Sequence, residues 1–276
     1  MIRLGVLGWP LERSLSPPMH NAALQALGMS EWRYQALPVP PELFEQTVRS
    51  LPDAGFRGAN VTIPHKAAAF TLADRPSDAA REIGAVNTLT FLPDGAIEAQ
   101  NTDAPGLLDA LAVSPRGMSA LVLGAGGSAQ AVVWALRNAG AREISVWSRP
   151  PERGGSGRAR ALAQRFEVLL APAPTAADLL VNCTPLTALA LRTSATERQG
   201  LNSLPLTFDQ VGSYPHVVDL VYTSSQTPLL AAARAHGAHT VDGRDFLLAQ
   251  GALSFERWTG AEAPREAMRR ALHERD

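Results

Sequence analysis

The chain has one cysteine, Cys183. A lone thiol closes no intramolecular disulfide and builds no cluster for structural zinc. Net charge is -1, so no basic excess points to a nucleic acid or an anionic membrane surface as partner. No window approaches the ~18 continuous apolar residues of a membrane span. The opening MIRLGVLG lacks the basic stretch and long apolar run of a secretion signal. His20, His65, His216, His236, His239 and His273 fall at no metal-ligand spacing. These gaps lead us to expect a cytoplasmic protein with no metal and no membrane or nucleic-acid partner. Without a histidine motif beside it, Cys183 reads as a small packed residue, not a nucleophile. What is plentiful is apolar: 46% hydrophobic against 18% charged, in a 276-residue chain long enough for two separate cores.

Apolar runs and helical stretches alternate throughout. Ile2–Leu7 reads as a strand ending at Gly8-Trp9-Pro10, and Ser16-Pro17-Pro18 opens a helix through Met19–Leu27 that Gly28 closes. Next come strand Arg33–Val39, helix Pro41–Leu51, strand Gly58–Ile63 and helices His65–Leu72 and Ala79–Ile83. Strands Ala85–Phe91 and Ala96–Gln100 flank Pro93-Asp94-Gly95 as a hairpin. After helix Asp103–Leu111, strands Ala120–Leu123, Glu143–Trp147, Leu179–Asn182 and Val217–Val221 alternate with helices Ser128–Ala139 and Ala159–Arg165. That second alternation predicts a Rossmann-like parallel sheet. Helix Pro228–His236 and an apolar helix Phe246–Trp258 complete the chain, while Pro150–Gly157 and Ala188–Ser213 read as surface loops or short helices. The expected class is α/β with two domains. A mixed domain covers residues 1–101 plus about 241–276, its tail helix returning to it, and a Rossmann-like domain covers 102–240.

Two motifs carry chemistry. Gly124-Ala125-Gly126-Gly127-Ser128-Ala129 follows a strand and opens a helix. There Gly124 allows a tight turn, Gly126 allows close approach of a pyrophosphate, and small Ala129 allows helix–strand packing. The next strand ends in Ser148-Arg149 with Arg153 shortly after, where an acidic residue would hold the ribose of NAD. Arg149 can pair with a 2′-phosphate and Ser148 can donate a hydrogen bond, so the expected cofactor is NADP. The second motif is GANVTIPHK, Gly58–Lys66, read with NTD at Asn101–Asp103. A lysine after a Pro-stiffened turn and an aspartate heading a helix can polarise a carbonyl and exchange a proton with it.

Further blocks stand in order: GWPLERSLSPPMHN (Gly8–Asn21), NVTIPHK (Asn60–Lys66), GAVNT (Gly84–Thr88), NCTPL (Asn182–Leu186), VVDLVY (Val217–Tyr222) and DGRDFLLAQGALSFERWTG (Asp242–Gly260). Through them the chain resembles the shikimate dehydrogenase family from residue 4 to about residue 260. The resemblance implies reversible NADPH-dependent reduction of 3-dehydroshikimate to shikimate in aromatic amino-acid (chorismate) biosynthesis. It implies catalytic roles for Lys66 and Asp103, with Ser14 and Ser16 on the substrate carboxylate. Asn60, Thr62, Asn87 and Asp103 match the ligands of ring hydroxyls, and Tyr222 and Gln250 complete the set. Gln250 on its own would read as a satisfied buried amide, and Ser16 as a helix cap. The resemblance adds Thr184, Leu220 and Gly243 to the cofactor residues.

The chain departs from the family pattern at Arg13, Ala99, Ala104, Thr187, Ser224 and Phe246, none of which removes an ionisable catalytic group. Two alternatives stay open: a quinate/shikimate dehydrogenase with relaxed cofactor choice, and a non-catalytic sensor of shikimate-like ligands. The Leu/Ala-rich helices leave a homodimer open.

Overall fold

The computed structural model describes residues 1–12, 14–149, 157–187, 201, 203–223 and 226–274. The chain divides into two compact units, Met1–Gly106 with Leu247–Arg275, and Leu107–Phe246.

The first unit is built on a six-stranded mixed sheet of β1 (Ile2–Gly8), β2 (Trp32–Pro38), β3 (Phe56–Val61), β4 (Arg75–Pro76), β5 (Thr88–Phe91) and β6 (Ile97–Gln100), in the order β2-β1-β3-β5-β6-β4. β1 runs parallel to both neighbours, which explains its continuous apolar run, buried from Leu4 to Gly8. β5 and β6 form the expected antiparallel hairpin, turning at Gly95 with φ +85°. β4, absent from the sequence pattern, is a two-residue edge strand where Pro76 tolerates its missing donor. Its helices are α1 (Ser16–Ala26), α2 (Phe44–Ser50), α3 (Lys66–Leu72) and α4 (Asp78–Ile83), and α5 (Asp103–Leu111) begins in this unit and continues past Gly106 into the second.

The expected single helix over Pro41–Leu51 is a 3₁₀ turn, Pro41–Leu43, followed by α2. Pro40 and Pro41 supply no N–H, and the Leu43 N–H closes a tight turn onto the Pro40 carbonyl at 3.1 Å. The expected cap at Ser16 is also different. α1 begins at Ser16 with Leu15 as an N-cap that makes no side-chain bond, and it is the Ser14 hydroxyl that accepts the Ser16 N–H, at 3.4 Å.

The second unit is an all-parallel sheet of β7 (Ser119–Leu123), β8 (Glu143–Trp147), β9 (Leu169–Leu170), β10 (Leu179–Asn182), β11 (His216–Asp219) and β12 (His239–Val241), in the order β12-β11-β10-β7-β8-β9. Its central strands are buried along their length, as sheets covered on both faces must be. Helices α6 (Gly127–Asn138), α7 (Arg158–Phe166), α8 (Phe208–Val211) and α9 (Pro228–Ala235) alternate with the strands. The expected strand to Val221 stops at Asp219, because the Asp219 side chain takes the Val221 N–H at 3.2 Å in place of a ladder bond.

Two helices close the chain, α10 (Gly243–Thr259) and α11 (Arg265–His273). From Leu247 onward α10 belongs to the first unit, where the Trp258 indole N–H donates to the Leu89 carbonyl on β5 at 2.9 Å. α11 packs on α1 and buries Met268 and Leu272, one turn apart. Among the described residues no helix is long and apolar enough to cross a membrane.

Candidate active site

In the first unit, the turn after β3 carries the chain from Thr62 through a cis Ile63–Pro64 peptide to Lys66 at the head of α3. His65 faces inward. Its Nε2 lies 2.7 Å from the Val39 carbonyl and its ring stacks on Phe44 at 4.3 Å. Lys66 donates from Nζ to Asp103 Oδ2, and Asn87 Nδ2 donates to the other carboxylate oxygen at 2.7 Å. Only 8% of Lys66 and 2% of Asp103 remain exposed. Taking two charges out of water costs several kcal/mol per ion, so an excellent local geometry is required to keep them there.

That geometry comes from a buried network behind the pair. Asn87 Nδ2 also lies 2.9 Å from Thr102 Oγ1 and 3.1 Å from Gln250 Oε1, which share its second hydrogen, and its own Oδ1 accepts the Thr102 N–H at 2.7 Å. Gln250 is fixed by its donation to the Leu247 carbonyl at 2.8 Å. Asn60 is engaged on both sides. Its Oδ1 accepts the Tyr34 hydroxyl at 2.8 Å, and its Nδ2 hydrogens are shared among Ser254 Oγ at 2.9 Å, the Asn87 carbonyl at 3.1 Å and Thr88 Oγ1 at 3.2 Å. Ser254 donates to the Gln250 carbonyl at 3.1 Å and lies 3.0 Å from Thr88 Oγ1. Of the remaining residues expected here, Ser16 is buried while Ser14 and Thr62 are half-buried.

Tyr34, Thr88, Thr102 and Ser254 join the site without being among the residues expected there. Ser254 has a usable signal, since it lies one helical turn after Gln250 and so shares its face. Beside this network, Tyr34 stacks on His20 at 4.2 Å. His20 is fully buried with no hydrogen-bond partner on either ring nitrogen among the described residues, and burial pushes its pKa down to about 3.

In the second unit, Gly124 ends β7 with φ +117°, a conformation that a side chain would strain. A Cβ there would also lie 3.3 Å from the Cys183 carbonyl. Gly126 is the extended N-cap of α6, and a Cβ on it would meet nothing within 4 Å. An open space over a helix start suits a phosphate, because first-turn N–H groups have no intrahelical acceptors and the dipole favours an anion. Ala125, Gly127 and Ser128 are half-buried and Ala129 is fully buried. These residues therefore fit a dinucleotide. At the end of β8, Ser148 is half-buried and Arg149 exposed, while Arg153 lies outside the described residues.

Thr184 lies on the turn after β10, Leu220 and Tyr222 follow β11, and Gly243 opens α10. A Cβ on Gly243 would fall 2.7 Å from the Tyr222 nitrogen, so only glycine lets these segments meet. Asp219, part of the VVDLVY block but not among the residues expected at the site, is fully buried. Burial pushes its pKa up to about 6, against the opposing pull of bonds from Thr227, Asn182, Val221 and Thr187.

The model of the shikimate dehydrogenase substrate binding domain matches residues 6–89, and that of the shikimate 5'-dehydrogenase C-terminal domain matches residues 243–273. The NADP(+) shikimate dehydrogenase of Acidiphilium cryptum is 42% identical over 93% of this chain and 90% of its own. That of Methanopyrus kandleri is 42% identical over 98% of this chain and 94% of its own. The chain belongs to the shikimate dehydrogenase family.

A solved family structure, shikimate 5-dehydrogenase from Thermus thermophilus in complex with NADP(H) and shikimate, is 39% identical and superposes with a TM-score of 0.83 over 98% of each chain. Of the departures from the family pattern, Ala99, Ala104 and Phe246 are buried. Thr187, where the family usually has glycine, lies buried with its hydroxyl 3.4 Å from Asn182 Nδ2. Arg13 and Ser224 lie outside the described residues.

Proposed function

We propose that this chain is a shikimate dehydrogenase, catalysing the reversible NADPH-dependent reduction of 3-dehydroshikimate to shikimate on the route to chorismate and the aromatic amino acids. The observation that carries this reading is the buried Lys66–Asp103 pair, braced by Asn87 within the unit that holds the substrate-domain match. We assign residues 1–101 plus about 241–276 to substrate binding and 102–240 to NADP.

When bound, NADPH supplies the hydride that reaches the ketone carbon, and NADP+ takes one back in the reverse direction. As negative charge develops on the ketone oxygen, the Lys66 ammonium stabilises it and delivers the proton that completes the alcohol. Asp103 holds that ammonium in place, and Asn87 fixes the carboxylate from its other oxygen. Ser14 and Ser16 direct hydroxyls to the substrate carboxylate. Thr62, Asn87, Asp103, Tyr222 and Gln250 serve the ring hydroxyls. Asn60 is different, since its donors are turned onto Ser254, Thr88 and the Asn87 carbonyl, and we assign it to bracing from behind.

For the cofactor, Gly124, Ala125, Gly126, Gly127, Ser128 and Ala129 would hold the pyrophosphate. Arg149 with Ser148 and Arg153 would hold the 2′-phosphate, and Thr184, Leu220 and Gly243 the nicotinamide end. A homodimer and a cytoplasmic location belong to the same proposal, the first checked by sedimentation velocity.

The deciding measurement is kcat/KM in four combinations, shikimate or quinate with NADP+ or NAD+. Highest turnover of shikimate with NADP+ is expected. Replacing Arg149 by alanine should weaken NADP+ about tenfold and leave NAD+ unchanged, the loss of one charge-assisted contact. Preference for quinate and NAD+ would reject the reading, and ligand binding without turnover would revive the sensor.

A further inference from the structure

Asp219 ends β11 with a fully buried carboxylate, and among the described residues no cationic side chain pairs with it. Its partners are all neutral donors. Asn182 Nδ2 reaches Oδ1 at 2.8 Å, the Val221 N–H reaches the same oxygen at 3.2 Å, and the Thr227 hydroxyl reaches Oδ2 at 2.8 Å. These donors come from the end of β10, the turn after β11 and the N-cap of α9, and the Thr187 hydroxyl, shortly after β10, joins them. Asn182 carries the connection onward, its Oδ1 accepting from the Thr184 N–H at 3.1 Å and the Thr184 hydroxyl at 2.7 Å. On the other side, the Val221–Tyr222 peptide lies against Gly243 with no room for a Cβ. Thr227 Oγ1 in turn accepts the Leu230 N–H at 3.4 Å.

We propose that Asp219 is a positioning residue for the dinucleotide, clamping the Thr184 turn, the Leu220–Tyr222 turn and the start of α9 into one rim before any dinucleotide binds. This rests on the assignment of NADP to that rim. A carboxylate suits the task because it only accepts, with lone pairs on both oxygens for donors arriving from different sides. An amide would turn an N–H toward at least one of those donors. Burying an unpaired carboxylate is costly, and a position that served packing alone would be filled by an apolar side chain without that cost. A rim fixed in advance lowers the ordering cost of binding.

The test compares wild type, Asp219→Asn and Asp219→Ala. NADP+ dissociation constants come from titration calorimetry, and amide exchange at Thr184 and Val221 is followed with no dinucleotide present. Asp219→Ala should weaken NADP+ binding about tenfold and speed both amides about tenfold, the scale of one lost buried bonding group. Asp219→Asn should give about threefold on both readouts, since its carbonyl keeps the donors on one side. If Asp219→Ala fails to fold by circular dichroism, the comparison of Asp219→Asn with wild type decides. Either readout staying within about twofold of wild type in Asp219→Asn overturns the proposal. A wild type that binds no NADP+ overturns the cofactor assignment first, and this proposal with it.

Discussion

Lys66 and Asp103 leave water together in the first unit, each neutralising the other, with Asn87 on the remaining carboxylate oxygen. Asp219 in the second unit leaves water alone, held only by amide, peptide and hydroxyl dipoles. Counter-charge lets a cationic side chain stay buried and in a fixed position. Dipoles merely make a lone carboxylate tolerable, and they fix the shape of whatever supplies them. On the roles proposed for them, the first arrangement serves proton chemistry and the second serves geometry.

The largest effect should come from breaking the pair. Lys66→Ala removes the proposed proton donor and takes away the cation that pairs with buried Asp103. A fall in kcat of about 1,000-fold is expected from the lost acid–base group, together with about 3–5 kcal/mol of stability from the orphaned charge. Steady-state turnover and urea denaturation measure the two losses separately. Near-normal turnover would show that the pair is structural.

A second contrast lies in pH. His20, in the first unit, has its pKa lowered by burial to about 3. Its contribution to stability is therefore present above the unfolded value near 6.5 and is lost as pH falls toward 3. Asp219 has its pKa raised to about 6, so its contribution is present below its unfolded value near 3.8 and is lost as pH rises through 6. At ~1.4 kcal/mol per pKa unit, His20 should remove on the order of 3 kcal/mol between about pH 7 and about pH 4. Unfolding measured across that range should show this loss in wild type and not in His20→Phe, which keeps a ring against Tyr34. Asp219 acts in the opposite direction by a slightly smaller amount, also on the order of 3 kcal/mol between about pH 4 and about pH 7. The pH slope of Asp219→Asn should lack that component, and identical slopes in variant and wild type would mean the carboxyl is not desolvated as its burial implies.

These contrasts also bear on how much of the molecule is legible in its sequence. Continuous apolar runs announce β1, β7 and β10 because buried strands need no alternation. Lys66 and Asp103 are legible because each stands in a motif at the start of a helix. The edge strands β4, β9 and β12 are two or three residues long, too short for any period to register. α11 exposes most of its charged surface and buries only two apolar side chains, so its helical stripe is thin. Asp219 lies in a recognisable block, yet its task depends on Asn182, 37 residues earlier in the chain, and local pattern carries no trace of such a partner. Asn60 shows the reverse: its motif is plain, and only the structure reveals that Tyr34 and Ser254 have taken its side chain.

The smallest expected effect probes the layer behind the charged pair. Ser254 is fully buried on α10, accepts from Asn60 and sits among the Thr88 and Thr102 hydroxyls at 3.0 Å and 3.3 Å. Ser254→Ala removes one hydroxyl while leaving Asn60 Nδ2 other acceptors at the Asn87 carbonyl and Thr88. A loss of about 1–2 kcal/mol in stability is expected, near the lower end for an impaired buried bond. Because Asn87 keeps its own bond to Asp103, kcat should fall less than about tenfold. A drop as large as that of Lys66→Ala would mean that the brace and the pair act as one unit. Proton chemistry and geometry would then be inseparable within the first unit, and the contrast with Asp219 would hold only for the source of the stabilising charge.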